Sequence, residues 1–135
     1  MEKNILPVPS FKALNADSDN NFSFAINGDH HDQPVDLNEQ LIKNRQSTFF
    51  MRVNSEAMIG AGIHAGDVVI VDRALEVKNG KVIIAVVQGE MLIRRLEMGQ
   101  GRHRLIPATT KLSPIELEPY SYTVWGVVTY VIHSL

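Results

Sequence analysis

Cysteine is missing from this sequence. Its absence excludes disulfides, cysteine nucleophiles and thiolate metal sites, and it fits a reducing compartment. Long apolar stretches are missing too. The longest runs, at residues 82–87 and around 124–132, fall far short of the roughly 20 residues a membrane-spanning helix needs. The N-terminus, Met1-Glu2-Lys3-Asn4, has no apolar core of the signal-peptide kind. A cytoplasmic protein with no membrane contact is therefore expected. The net charge of −2 leaves no basic footprint for direct nucleic-acid binding. Aromatic residues, at 7%, are too few and dispersed for a base-stacking platform. A glycine-rich phosphate loop is also lacking. Gly60-Ala61-Gly62 is followed by no Lys-Ser/Thr pair and has no clear strand-to-helix frame. No cofactor is expected.

What remains is enough for one domain with a hydrophobic core: 135 residues, 44% of them hydrophobic. Residues 1–35 differ from the rest. Prolines stand at 7, 9 and 34, Asn, Asp and Ser crowd residues 15–21, and Asn27-Gly28-Asp29 reads as a turn. This segment predicts a partly disordered N-terminal arm that gains structure only by docking. Residues 36–135 form the expected domain. Asp36-Leu37-Asn38-Glu39-Gln40-Leu41-Ile42 predicts a short helix, with Asp36 as N-cap and Glu39 three residues on.

After the helix, β signals dominate. Strands are predicted at residues 48–53, 68–71, 81–87, 91–96, 104–106 and 123–132. Gln88-Gly89-Glu90 joins the third to the fourth as a hairpin connection. Six short strands separated by turns predict a mainly β, mostly antiparallel fold.

The five histidines, His30, His31, His64, His103 and His133, are scattered along the chain. They read as solvated loop residues, and no metal site is expected. Arg94 and Arg95 are adjacent on a strand, so one of them points inward. An inward arginine needs a partner or nearby solvent.

The stretch Phe49-Phe50-Met51-Arg52-Val53-Asn54-Ser55-Glu56-Ala57-Met58-Ile59 resembles the nucleophile segment of the LexA/UmuD family of serine–lysine autopeptidases. Gly60-Ala61-Gly62-Ile63-His64-Ala65-Gly66-Asp67, followed by Val68-Val69-Ile70-Val71-Asp72, is similar to that family's continuation. Gly80-Lys81-Val82 through Val87-Gln88-Gly89-Glu90 resembles the strand and turn before the catalytic lysine. Arg104-Leu105-Ile106-Pro107-Ala108, Ser113-Pro114-Ile115 and Trp125-Gly126-Val127-Val128 match its C-terminal part. Together the matches cover about residues 34–135. Asp36-Leu37-Asn38 and the lack of a repressor-type DNA-binding domain make the UmuD branch more similar than LexA.

The resemblance implies a LexA/UmuD C-terminal-like β domain in which a serine attacks a peptide bond of the chain's own arm. A buried, neutral lysine takes the serine's proton. The serine position falls on Ala57 and the lysine position on Arg94. A methyl group is no nucleophile, and a guanidinium stays protonated. The cleaved bond, Ala-Gly or Cys-Gly in the family, falls near Asn21-Phe22, and neither pair occurs in residues 1–35. Ser55, two residues before Ala57, is the possible alternative nucleophile. With no lysine beside it, it reads better as a backbone-bonding turn serine. Arg94 is expected to be the inward arginine, partly buried, with Glu56, a backbone carbonyl or the arm as partner.

The resemblance therefore implies an inactive, UmuD-like accessory protein of the SOS response and translesion DNA synthesis. It implies a homodimer that meets a translesion DNA polymerase subunit and the RecA filament. The residues 124–132 are expected to supply dimer contacts. The alternative is an active autocatalytic Ser-Lys peptidase whose two catalytic residues were replaced by engineering. A third reading is a decoy subunit that titrates the partners of an active homologue.

Overall fold

The computed structural model describes residues 5–7, 23–24 and 34–135. Its elements are β1 (Ile5–Pro7), β2 (Ser23–Phe24), β3 (Val35–Asp36), α1 (Leu37–Leu41), β4 (Thr48–Val53), β5 (Val68–Asp72), β6 (Val82–Val87), β7 (Glu90–Gly99), β8 (Arg102–Ile106), β9 (Ile115–Leu117) and β10 (Thr123–Ile132). Eight strands form one sheet in the order β1-β4-β5-β10-β6-β7-β8-β9, and β2 pairs with β3. Every one of these pairings is antiparallel. The mainly β, antiparallel expectation holds. No helix among the described residues is long and apolar enough to cross a membrane.

The predicted cap is present. Asp36 Oδ1 accepts the Asn38 N–H at 3.0 Å and the Glu39 N–H at 3.4 Å. These bonds serve two of the amides that open a helix without an intrahelical partner. A helix of five residues is too short to stand by propensity alone, so its packing must hold it. Leu37, Leu41 and Ile42 line a groove of about 270 Å³ with Phe50, Val68, Ile70 and Ile132 of the sheet.

The apolar runs of β6 and β5 are strands buried on both faces. On β6, Ile84 belongs to a core with Met51, Val53, Ala57, Met58, Ile63, Val69, Val71 and Ile93. Its neighbours Ile83 and Ala85 belong to a second core with Leu96, Leu105 and Val127. A strand covered on both sides has no reason to alternate polar with apolar residues. On β5, Val69 and Val71 pack into the first core, while Ile70 lines the groove under α1.

Four strands lie outside the predicted six. Strands β1, β2 and β3 have two or three residues each, and β9 is the three-residue Ile115-Glu116-Leu117. Such pieces are too short to carry a periodic signal. Strand β7 runs three residues beyond Leu96 and turns directly into β8. Both hairpins, β6–β7 and β7–β8, use two-residue loops, Gln88-Gly89 and Gln100-Gly101. Their φ values of 50° and 81°, and of 51° and 75°, are the positive angles that tight hairpin turns demand. Glu90 is therefore a strand residue paired with Val87, not part of the connection. Strand β10 lies inside the sheet, hydrogen-bonded to β5 on one side and β6 on the other. The two ladders overlap only at Val127, with residues 127–132 paired to β5 and residues 123–127 paired to β6. At its far end Tyr130, Val131 and Ile132 are exposed.

Two buried aspartates stand at the ends of β5, Asp67 at 3% exposure and Asp72 at 4%. The Asp72 carboxylate accepts from Asn44 Nδ2 at 2.8 Å, Ser47 Oγ at 2.7 Å and the Ala74 N–H at 2.8 Å. Burial alone would raise its pKa, but these three donors outweigh it and hold the carboxyl below its ordinary value. A depressed pKa stabilises the fold above the unfolded value, and the contribution is lost as pH falls through the folded value. Asp72→Ala strands three donors and should cost about 3 kcal/mol at neutral pH. Urea unfolding checks this. The gap between wild type and variant should close below about pH 4.

Candidate functional site

The positions singled out by sequence lie in the segment after β4 and on β7. Strand β4 ends at Val53, whose N–H donates to Asp67 O at 2.8 Å. The chain then enters a tight segment that ends in a 3-10 turn at Ile59–Ala61. Ala57 sits in this segment at 2% exposure and Met58 at 1%, both within the first core.

Ser55 is buried, and its Oγ accepts the Ala57 N–H at 3.1 Å. This is a local side-chain-to-backbone bond that shapes the turn. The hydroxyl is thus engaged as an acceptor holding position 57 in place. An activated nucleophile instead needs a base within hydrogen-bond reach.

The segment is stitched to the strand end after β8. The Ala108 N–H donates to Ala57 O at 2.7 Å, and the Gly60 N–H donates to Ala108 O at 2.8 Å. This pairing is invisible to sequence periodicity because it joins two irregular segments far apart in the chain. Ile5, at the start of the N-terminal segment, is buried in the same core as Ala57 and Met58. Strand β1 carries it there by pairing with β4, Ile5 opposite Val53. Asn21 and Phe22, the cleavage-site equivalents, lie outside the described residues.

On β7 the alternation resolves the two arginines. Arg94 is 5% exposed, while Arg95 is exposed and donates from Nη1 to Gly80 O at 2.7 Å. Arg94 is opposite Ile83 across the β6–β7 ladder, so it shares a face with that residue and with Leu96. Arg94 is more deeply buried than the partial burial expected of it. Its Nη1 donates to Ile93 O at 2.8 Å, so a backbone carbonyl is one partner. Glu56 is exposed. A guanidinium in that environment remains a cation and donates hydrogen bonds without accepting any.

A domain with this antiparallel sheet, and with this segment docked between β4 and β8, is the scaffold of a known peptidase class. The peptidase S24-like family matches residues 20–129, and the chain belongs to it. The protein ImpA of Escherichia coli is 37% identical over 105 residues, covering 78% of this chain and 72% of ImpA. MucA of Escherichia coli is 33% identical over 105 residues, covering 76% of this chain and 69% of MucA. The LexA repressor of Clostridium novyi (strain NT) is 31% identical over 93 residues, 69% of this chain but only 45% of that repressor. The family resemblance read from residues 34–135 is borne out.

The tight docking of the Ala57 segment generates a prediction. A Cβ at Gly60 would lie 2.6 Å from the backbone oxygen of Ala108. Backbone cannot swing away as a flexible side chain can, so Gly60→Ala must push the segment off Ala108. The expected cost is about 1–3 kcal/mol, a fall in Tm of about 4 °C or more. Gly99→Ala, where nothing lies within 4 Å, is the control and should leave Tm nearly unchanged. Differential scanning calorimetry of both variants checks the contrast.

Proposed function

We propose that this chain is a UmuD-like accessory protein of SOS mutagenesis, built on the S24 peptidase scaffold but unable to cleave itself. One observation carries the reading: the family match spans residues 20–129, yet position 57 holds alanine and position 94 a buried arginine. Family catalysis asks a serine hydroxyl to lose a proton to a neutral lysine. Ala57 has no proton to lose and no lone pair with which to attack. Arg94 holds its proton far above any physiological pH. Neither substitution can be bypassed by the other.

The homodimer, the contacts with a translesion polymerase subunit and with the RecA filament, and the cytoplasmic location belong to the same proposal. They follow from the resemblance to UmuD. The exposed Tyr130, Val131 and Ile132, with the apolar groove lined by Leu37, Leu41 and Ile42, supply a surface on which two copies can meet. The N-terminal residues 1–35 serve in this reading as an arm, and residues 36–135 as the domain.

High pH favours a Ser–Lys dyad because it deprotonates the lysine; it does nothing for arginine. At about pH 10, near the reference lysine pKa, the wild-type protein should keep its intact mass over a day, with or without activated RecA. Ala57→Ser should also stay whole, because its new hydroxyl would have no base. Release of an N-terminal fragment from either protein would overturn the reading. For the dimer, light scattering at micromolar concentration should give twice the chain mass, and a monomer mass would count against it.

A further inference from the structure

The expectation that the histidines lie scattered fails for two of them. Strand register brings His133 to Asp67. Ile132 pairs with Val68 and Val131 with Val69, so the residues just beyond, His133 and Asp67, come opposite one another. His133 Nδ1 lies 2.6 Å from Asp67 Oδ1. A turn supplies the third group. The Asp67 N–H donates to His64 O at 3.0 Å, and Asp67 Oδ2 accepts the His64 N–H at 2.8 Å. The turn leaves His64 Nδ1 3.7 Å from Asp67 Oδ2. The two imidazole centroids are 5.2 Å apart. One atom from each of His64, Asp67 and His133 lies within 4.8 Å of the other two.

We propose that His64, Asp67 and His133 form a binding site for a first-row divalent cation, with Zn²⁺ the best match. Two imidazole nitrogens and one carboxylate oxygen are a donor set that zinc accepts, with water completing a tetrahedron. Donors 2.0–2.1 Å from a tetrahedral zinc stand about 3.4 Å from one another. The 3.7 Å separation of His64 Nδ1 from Asp67 Oδ2 is close to that edge. The 2.6 Å contact between His133 and Asp67 is a hydrogen bond that the metal replaces as His133 shifts its proton to Nε2.

A separate feature points the same way. His64 Nδ1 is shielded from solvent and makes no hydrogen bond among the described residues. A buried ring nitrogen left without a partner is costly, and a cation beside Asp67 would satisfy it. Access is open, because the His64 and His133 side chains are 44% and 50% exposed while Asp67 is buried beneath them. The first ligand precedes β5 and the last follows β10, so a bound ion would fasten the end of the last strand to the start of its neighbour β5. The inference does not depend on whether the chain cleaves itself.

The test is calorimetric titration of the tag-free full chain with Zn²⁺ alone. The expected result is one ion per chain at micromolar affinity and a higher Tm with zinc than with chelator. His64→Ala and His133→Ala should each weaken binding about tenfold or more, with an unchanged circular dichroism spectrum in the absence of metal. The double variant His30→Ala/His31→Ala should bind as the wild type does. Cobalt substitution should give the intense visible absorption of a tetrahedral ion, absent from His133→Ala. Three results would each overturn the proposal: no heat or Tm change at about 100 µM zinc, binding indifferent to His133→Ala, or binding lost with His30 and His31.

Discussion

Two buried carboxylates bracket the interior strand β5, and neither keeps its full set of donors unless distant segments are in register around it. Asp72 gathers Asn44, Ser47 and Ala74 and so fixes the entry into β4 against the exit from β5. Asp67 gathers His64 and His133 and so fixes the approach to β5 against the end of β10. A one-residue slip of either neighbour would strip a buried ionised group of its distant donors, leaving Asp67 only the His64 N–H and Asp72 only the Ala74 N–H, which costs more than a lost apolar contact. The apolar run Val68-Val69-Ile70-Val71 supplies burial but little register, because any apolar residue can pack beside another. Polar ends therefore specify the alignment that an apolar middle then stabilises.

In the proposed reading, that arrangement lets the family scaffold persist without its chemistry. The Ala57 segment is held by backbone: Ala57 O and Ala108 O accept from Ala108 N and Gly60 N. A residue without a functional side chain meets these demands as well as a serine would. Position 94 carries a stronger constraint, because it is buried and opposite Ile83. A cation there must be given oxygen acceptors, and Ile93 O is one. In the proposed reading the position has exchanged a proton-transfer role for a hydrogen-bonding one, at the same place on the same strand.

Much of the fold was legible in the sequence because its signals are local. Asp36 with Glu39 three residues on announces a capped helix, and Thr48–Val53 shows inward Met51 and Val53 around outward Arg52. Gly89 marks the hairpin, although the turn's second strand starts one residue earlier than expected. What was not legible depends on contacts between distant segments. Ile115-Glu116-Leu117 has too few residues for a period, and it becomes a strand only because β8 is beside it. Nothing in the sequence of β10 itself says that β5 and β6 flank it. The meeting of His64 with His133 follows from β5–β10 register, which single-chain spacing does not encode. For the candidate site, alternation required one inward arginine on β7. Family resemblance chose Arg94, and its burial agrees.

We propose that the scaffold is intact and that positions 57 and 94, together with the lack of an Ala-Gly or Cys-Gly bond in residues 1–35, separate it from peptidase chemistry. It is tested most directly by supplying the substrate in trans, so that the missing cleavage bond in the arm no longer matters. A peptide carrying an Ala-Gly bond, incubated with four proteins at about pH 10 and followed by mass spectrometry, isolates the two positions. Product is expected only from the double variant Ala57→Ser/Arg94→Lys, and none from wild type, Ala57→Ser or Arg94→Lys. Equal cleavage by Ala57→Ser alone, or none by the double variant, would contradict it.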